Sequence, residues 1–161
     1  MRTMRRTDRE RDRVFAEAVA DKCRYAVLAT VNDDGSPYCV PLSIVRDGEW
    51  IYFHCARGGH KIDNLKNRNR VCLSCVGDVE EPPDHFTVVY ESAIVSGSAE
   101  EVLDDGEKVR ALRLLCERHT PANMAAFDAE MAREYTATAV WKIRIEEISG
   151  KQRPPLRAKL E

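Results

Sequence analysis

Tyr25-Ala26-Val27-Leu28-Ala29-Thr30-Val31, closed by Asn32-Asp33-Asp34-Gly35, is the stretch on which the fold turns. The run is rich in apolar and β-branched residues. Its terminal Asp-Gly pair suits a tight hairpin, because glycine accepts a positive φ without steric cost. A second run over residues 38–45 ends on Arg46-Asp47-Gly48-Glu49, and Trp50-Ile51-Tyr52-Phe53-His54-Cys55 follows at once. Three strands joined by two Asp-Gly turns form an antiparallel meander.

Upstream, residues 1–13 hold six arginines against Asp8, Glu10 and Asp12, which predicts a solvated arm leading into a helix through Val14, Phe15, Ala18 and Val19. Downstream, Ala56-Arg57-Gly58-Gly59 leads into a predicted helix over 61–67, a fourth strand over 70–76 and a loop over 77–84. A long strand over 86–99 contains Gly97, which signals a bulge or bend. Helical spacing of Val109, Leu112, Leu115 and Cys116 predicts a helix over 107–118, and Pro121 opens another stretch to about residue 133. A last strand spans 136–148, and the tail after Gly150 is expected to be extended and mobile.

The expected organisation is therefore a basic arm and helix over 1–22, a barrel domain over 23–150 and a tail over 151–161. Six antiparallel strands expose two edges unless the sheet closes. A mainly β fold follows: a small closed or nearly closed six-stranded barrel with peripheral helices.

Whole-chain properties narrow the function. In 161 residues, 27 acidic side chains slightly outnumber 25 basic ones, so no broad cationic field favours nucleic acid. No apolar run approaches the roughly 20 residues of a membrane-spanning helix. The six cysteines lie mostly in apolar runs and the chain opens with charge rather than a secretory segment, so a soluble cytoplasmic protein with reduced thiols is expected. Cys72 and Cys75 stand three apart on a strand, where side chains point to opposite faces, which disfavours a shared metal or dithiol role.

The chemistry concentrates in Phe53-His54-Cys55-Ala56-Arg57-Gly58-Gly59-His60-Lys61. Four potentially cationic side chains surround two glycines just before a helix whose first N–H groups lack intrahelical partners, a recipe for an anion site. Lys61, with His60 or Arg57, can supply charged hydrogen bonds to a phosphate.

From Arg5 to about Pro155 the chain resembles the FMN-binding split-barrel superfamily of pyridoxamine-phosphate oxidases, and most of all its 5-nitroimidazole-resistance (Nim-type) branch. The resemblance is carried by Met4-Arg5-Arg6 with Asp8-Arg9-Glu10, by Ala26-Val27-Leu28-Ala29-Thr30 through Gly35 and Pro37, and by Val40-Pro41-Leu42-Ser43. Tyr52-Phe53-His54 to His60-Lys61, Tyr90-Glu91-Ser92 and Gly97 complete it. It implies a split β-barrel that binds FMN at the interface of a homodimer.

By that resemblance Lys61 holds the FMN phosphate, and His60 stands where the oxidases have an arginine. Val40, Pro41, Leu42 and Ser43 run beside the flavin ring, with Phe53, His54 and Cys55 next to them; Tyr90, Ser92 and Trp141 approach from the partner subunit. No counterpart of the oxidase's substrate-phosphate residues is found in the last strand, which disfavours vitamin B6 oxidation.

The implied activity is a reductase passing electrons from a nicotinamide donor to a small electrophilic acceptor such as a nitroaromatic, with His54 or His60 as the proton donor. The alternative is a non-catalytic flavin- or haem-binding module, with His54, His60 or His119 as an axial ligand. A deazaflavin in place of FMN is a third option.

Overall fold

The structure, a computed structural model, describes residues 3–83 and 85–155. Its core is an antiparallel sheet of eight strands: β1 (Glu10–Arg11), β2 (Ala26–Val31), β3 (Pro37–Leu42), β4 (Val45–Asp47), β5 (Trp50–Ala56), β6 (Arg70–Glu80), β7 (Val89–Glu101) and β8 (Thr138–Arg153). Four α-helices accompany it: α1 (Arg13–Lys22), α2 (His60–Asn67), α3 (Asp105–His119) and α4 (Phe127–Glu134), the last preceded by a 3₁₀ segment, Pro121–Ala126.

The strand order is β3-β2-β6-β7-β8-β5-β4, with β1 added to β8. The two ends of this order, β3 and β4, are separated in sequence only by Ser43 and Ile44. Two residues span at most about 10 Å between their flanking neighbours, so the sheet must curl until its edges nearly meet. The ladder is nonetheless open between them, which makes a split rather than a closed barrel. The expected second strand over 38–45 therefore becomes two, because at Ser43–Ile44 the chain leaves its pairing with β2 and takes up pairing with β5.

Both predicted turns have their glycine at positive φ, 87° at Gly35 and 59° at Gly48. The β7–β8 register shifts between Ser96 and Gly97. A Cβ at Gly97 would lie 1.9 Å from the Arg144 carbonyl oxygen, so only glycine fits this bulge.

Three segments depart from expectation. Strand β6 does not stop at Val76 but passes an irregularity and pairs Val79 and Glu80 with Tyr90 and Val89. Residues 151–153, expected as tail, continue β8 against β7, and the basic arm is tied to the same strand by Glu10↔Lys151 and Arg11↔Gly150. Residues 1–2, Asp84 and the rest of the tail, 156–161, lie outside the described residues.

The apolar interior divides by strand parity. Ile51, Phe53, Trp141 and Ile143 face the barrel core with Leu28, Leu73 and Val95, closed at one side by Ala16, Val19 and Ala20 of α1. Tyr52 and Val140 face the other way, against Leu112 and Leu115 of α3 and Phe127 of α4. Arg118, near the end of α3, donates to the Ala20 and Cys23 carbonyls (3.0 and 2.7 Å), satisfying acceptors at the end of α1.

Candidate functional site

Gly59 precedes α2 at φ 120°, in the left-handed region that favours glycine, and places no side chain over the helix start. Ile62 and Asp63 N–H groups bond back to the Gly59 carbonyl. The earlier N–H groups have no intrahelical acceptor.

His60 and Lys61, adjacent in the first turn, diverge. His60 Nε2 donates to Asn32 Oδ1 at 2.8 Å, and its ring packs 4.1 Å from that of Tyr38. Asn64, one turn on, donates to the same Asn32 oxygen (2.8 Å) and to Thr30 Oγ1 (3.0 Å). His60 thus belongs to a clasp fixing α2 to the β2–β3 hairpin. Lys61 instead lines a cleft of about 520 Å³ with Val40, Pro41, Leu42, Ser43, His54 and Cys55, closed on its far side by Glu134 and Thr138. Among the described residues Lys61 has no hydrogen bond or ion pair.

The cleft has a distinctive wall. β3 is an edge strand that pairs only with β2, so the other side of its backbone is unpaired among the described residues. Val40 and Leu42 turn toward the core while Pro41 is exposed.

His54 lies on the outer face of β5 and makes no hydrogen bond to the described residues. Water reaches it, yet the concave wall desolvates it enough to lower its pKa, and the charges of His119 and Lys61 act in the same direction. Its imidazole is neutral at pH 7. Burial pushes the Cys55 thiol up, more than the nearby Lys61 lowers it, so Cys55 is not a poised thiolate.

A second cleft, about 690 Å³, adjoins the first beneath α3, the 3₁₀ segment and α4. The two share Ser43, His54, Thr138 and Glu134. His119 enters this second wall, where its Nε2 donates to the Ile44 carbonyl (2.8 Å).

Of the residues singled out from sequence, Val40, Pro41, Leu42, Ser43, His54, Cys55 and Lys61 come together in one cleft. Phe53 and Trp141 are cross-strand neighbours inside the barrel, 0% and 4% exposed, and the indole N–H of Trp141 is buried with no acceptor among the described residues. Tyr90 and Ser92 pair with Arg153 and Lys151 at the far end of β8; Lys151 stands thirteen positions (151 − 138) from the Thr138 that lines the cleft. Sequence reading missed Glu134, Thr138 and the role of α4, whose only signal was helical periodicity. It also missed Cys23, whose Sγ donates to the Ala20 carbonyl (3.3 Å); the adjacent Cys75 thiol and the Arg118 guanidinium draw Cys23 below the ordinary thiol range, while Cys75 is pushed up.

A family model described as pyridoxamine 5'-phosphate oxidase matches residues 12–152. Among solved structures, the chain is similar to a flavocytochrome from Azotobacter vinelandii: 26% identity over 98% of this chain and 76% of that one, TM-score 0.78. An FAD- and haem-binding protein from Mycobacterium smegmatis matches at 23% identity over 92% and 74% of the two chains, TM-score 0.75. A protein assigned to 5-nitroimidazole antibiotic resistance in Bacteroides thetaiotaomicron matches at 23% over 88% and 84%, TM-score 0.72. Among curated proteins, nothing matches. No helix among the described residues is long and apolar enough to cross a membrane.

Proposed function

Because the chain belongs to the pyridoxamine 5'-phosphate oxidase family, with its split barrel, we propose that it binds FMN in the Lys61 cleft and works as a reductase. It would take electrons from a nicotinamide donor and pass them to a small electrophilic acceptor such as a nitroaromatic. The observation that carries this reading is Lys61: a cation in the first turn of a helix, lining a concave site, with no carboxylate bound to it among the described residues. An ammonium left unpaired beside free helix N–H groups suits a phosphate.

The remaining residues fit the same ligand. The unpaired edge of β3 at Val40–Leu42 offers backbone groups to a heterocycle's polar rim. Bound FMN would supply the electron-carrying ring. Around it, Val40, Leu42 and Cys55 supply apolar wall, and neutral His54 can hold or deliver a proton at the cleft's edge. His60, engaged by Asn32 and Tyr38, supports α2 rather than the ligand.

The cleft is open on one side, and Tyr90 and Ser92, on β7 opposite the far end of β8, lie too far away to reach it within one chain. A homodimer bringing those residues from the second copy is part of the proposal. Haem, the alternative ligand, would find His54 and His119 in the second cleft, but no lysine or arginine lines that cleft to meet its propionates.

A phosphate-directed test separates these readings. A charged hydrogen bond contributes about 1.5–3 kcal/mol, so Lys61→Ala should weaken FMN binding by about one to two orders of magnitude. Riboflavin, lacking the phosphate, should bind both proteins alike. A folded variant that holds FMN as tightly as the parent, or a parent that purifies with a Soret band and no flavin, overturns the assignment.

A further inference from the structure

We propose that the second cleft, beneath α3 and α4, is the acceptor site, and that it selects uncharged or cationic aromatic molecules against anionic ones. This rests on the reading that the adjoining Lys61 cleft holds the flavin.

Continuity is the first argument. Ser43, His54, Thr138 and Glu134 line both clefts, so a molecule in the second lies directly beside one in the first, with His54 at the boundary. Electron or hydride transfer needs such proximity.

The lining supplies the second. Leu112, Leu115, Phe127 and Met131 make an apolar floor suited to a flat ring, and Met side chains adapt their shape to varied ligands. His54 and His119 add polar atoms that specify orientation. His119 directs its Nε2–H at the Ile44 carbonyl, whereas His54 has an N–H free of partners among the described residues to donate to a nitro or carbonyl oxygen.

Charge supplies the third. The lining holds two carboxylates, Glu130 and Glu134, and neither lysine nor arginine. Arg133, outside the lining, binds both and offsets one of the two charges, so the group remains net negative. An anionic ligand would lose its water here and gain no cation in exchange. The neighbouring clefts thus differ in charge: in the one assigned to phosphate Lys61 stands against the shared Glu134, whereas the other adds Glu130 and has no lining cation.

The test uses oxidised, FMN-loaded protein without turnover and three molecules of nearly equal shape: 4-nitrobenzyl alcohol, 4-nitrobenzylammonium and 4-nitrobenzoate. Calorimetric titration should rank the cation equal to or tighter than the alcohol, and the benzoate weaker by about tenfold or more. Ala126→Trp and Asn123→Trp, both at exposed lining positions, should abolish binding of the alcohol while leaving FMN affinity intact. Glu130→Gln should narrow the gap between alcohol and benzoate. Equal affinity for all three probes, or alcohol binding untouched by both tryptophan variants, overturns the proposal. If the chain fails to take up FMN, the flavin reading falls, and the same titrations on flavin-free protein still decide the cleft's preference.

Discussion

β5 presents alternate residues to its outer face, and the two ends of that face are finished in opposite ways. At the first end Tyr52 donates to Glu107 (2.8 Å), Lys142 bonds both oxygens of the same carboxylate (3.0 Å each), and Arg110 donates to the Tyr52 hydroxyl (3.2 Å) while pairing with Asp47. Lys142 also sits 4.7 Å from the Trp50 ring centre. Two residues further along the strand, His54 has no hydrogen bond among the described residues, and neither has Lys61 across the cleft. Burial of polar groups is costly unless they are paired. The first end meets that cost inside the chain and serves to fix α3; the second leaves its partners to be supplied from outside. An unpartnered polar group in a concave wall marks a ligand site, and a partnered one marks scaffold.

Removing the hub of the partnered end gives the largest effect. Glu107→Ala would strip Tyr52 and Lys142 of their shared acceptor in a half-buried setting, and hydrogen bonds to charged groups contribute about 1.5–3 kcal/mol. Stability should fall by about 2 kcal/mol or more, read as a lower urea midpoint with unchanged slope. FMN affinity per folded molecule should not move. A loss of FMN affinity with intact stability would erase the distinction between the two ends.

The division between scaffold and site was only half legible in the sequence. Asp34-Gly35, Asp47-Gly48 and Gly97 announce their geometry because glycine conformation is a local property, and the turns and bulge stand where those residues predict. Strand parity separates Cys72 from Cys75 for the same local reason. What sequence does not reveal is partnership between distant residues. Nothing in Gly59-His60-Lys61 says that His60 finds Asn32 and Tyr38 while Lys61 finds no partner, since those neighbours come from the β2–β3 hairpin. Cys23 meets Cys75, and Glu134 meets the cleft, only through packing of α1 and α4. The break at Ser43–Ile44 is likewise a matter of closure: it appears where the curled sheet exchanges one neighbouring strand for another.

His60 gives an intermediate case. His60→Ala removes one hydrogen bond and one ring contact from an exposed clasp, so stability should fall by about 0.5–1 kcal/mol. FMN affinity should change much less than in Lys61→Ala, in which the neighbouring side chain is lost. Equal losses of FMN affinity in the two variants would mean that His60 leaves Asn32 to bind the phosphate, and the clasp would no longer count as scaffold.

The smallest effect is a pH dependence at His54. An unfolded histidine titrates near about 6.5, and in the fold the desolvating cleft wall, then His119 and Lys61, bring His54 lower. As pH falls below about 6.5 the unfolded chain therefore binds the proton first and is favoured. The contribution of His54 to stability is complete above the unfolded value and is lost as pH falls through the folded one. His54→Gln, which cannot titrate, should show a shallower decline than the parent in urea midpoints measured between about pH 7.5 and pH 5. Carboxylates titrate in both proteins, so the difference between them isolates His54. Profiles that coincide without FMN would show that His54 is not desolvated by the cleft.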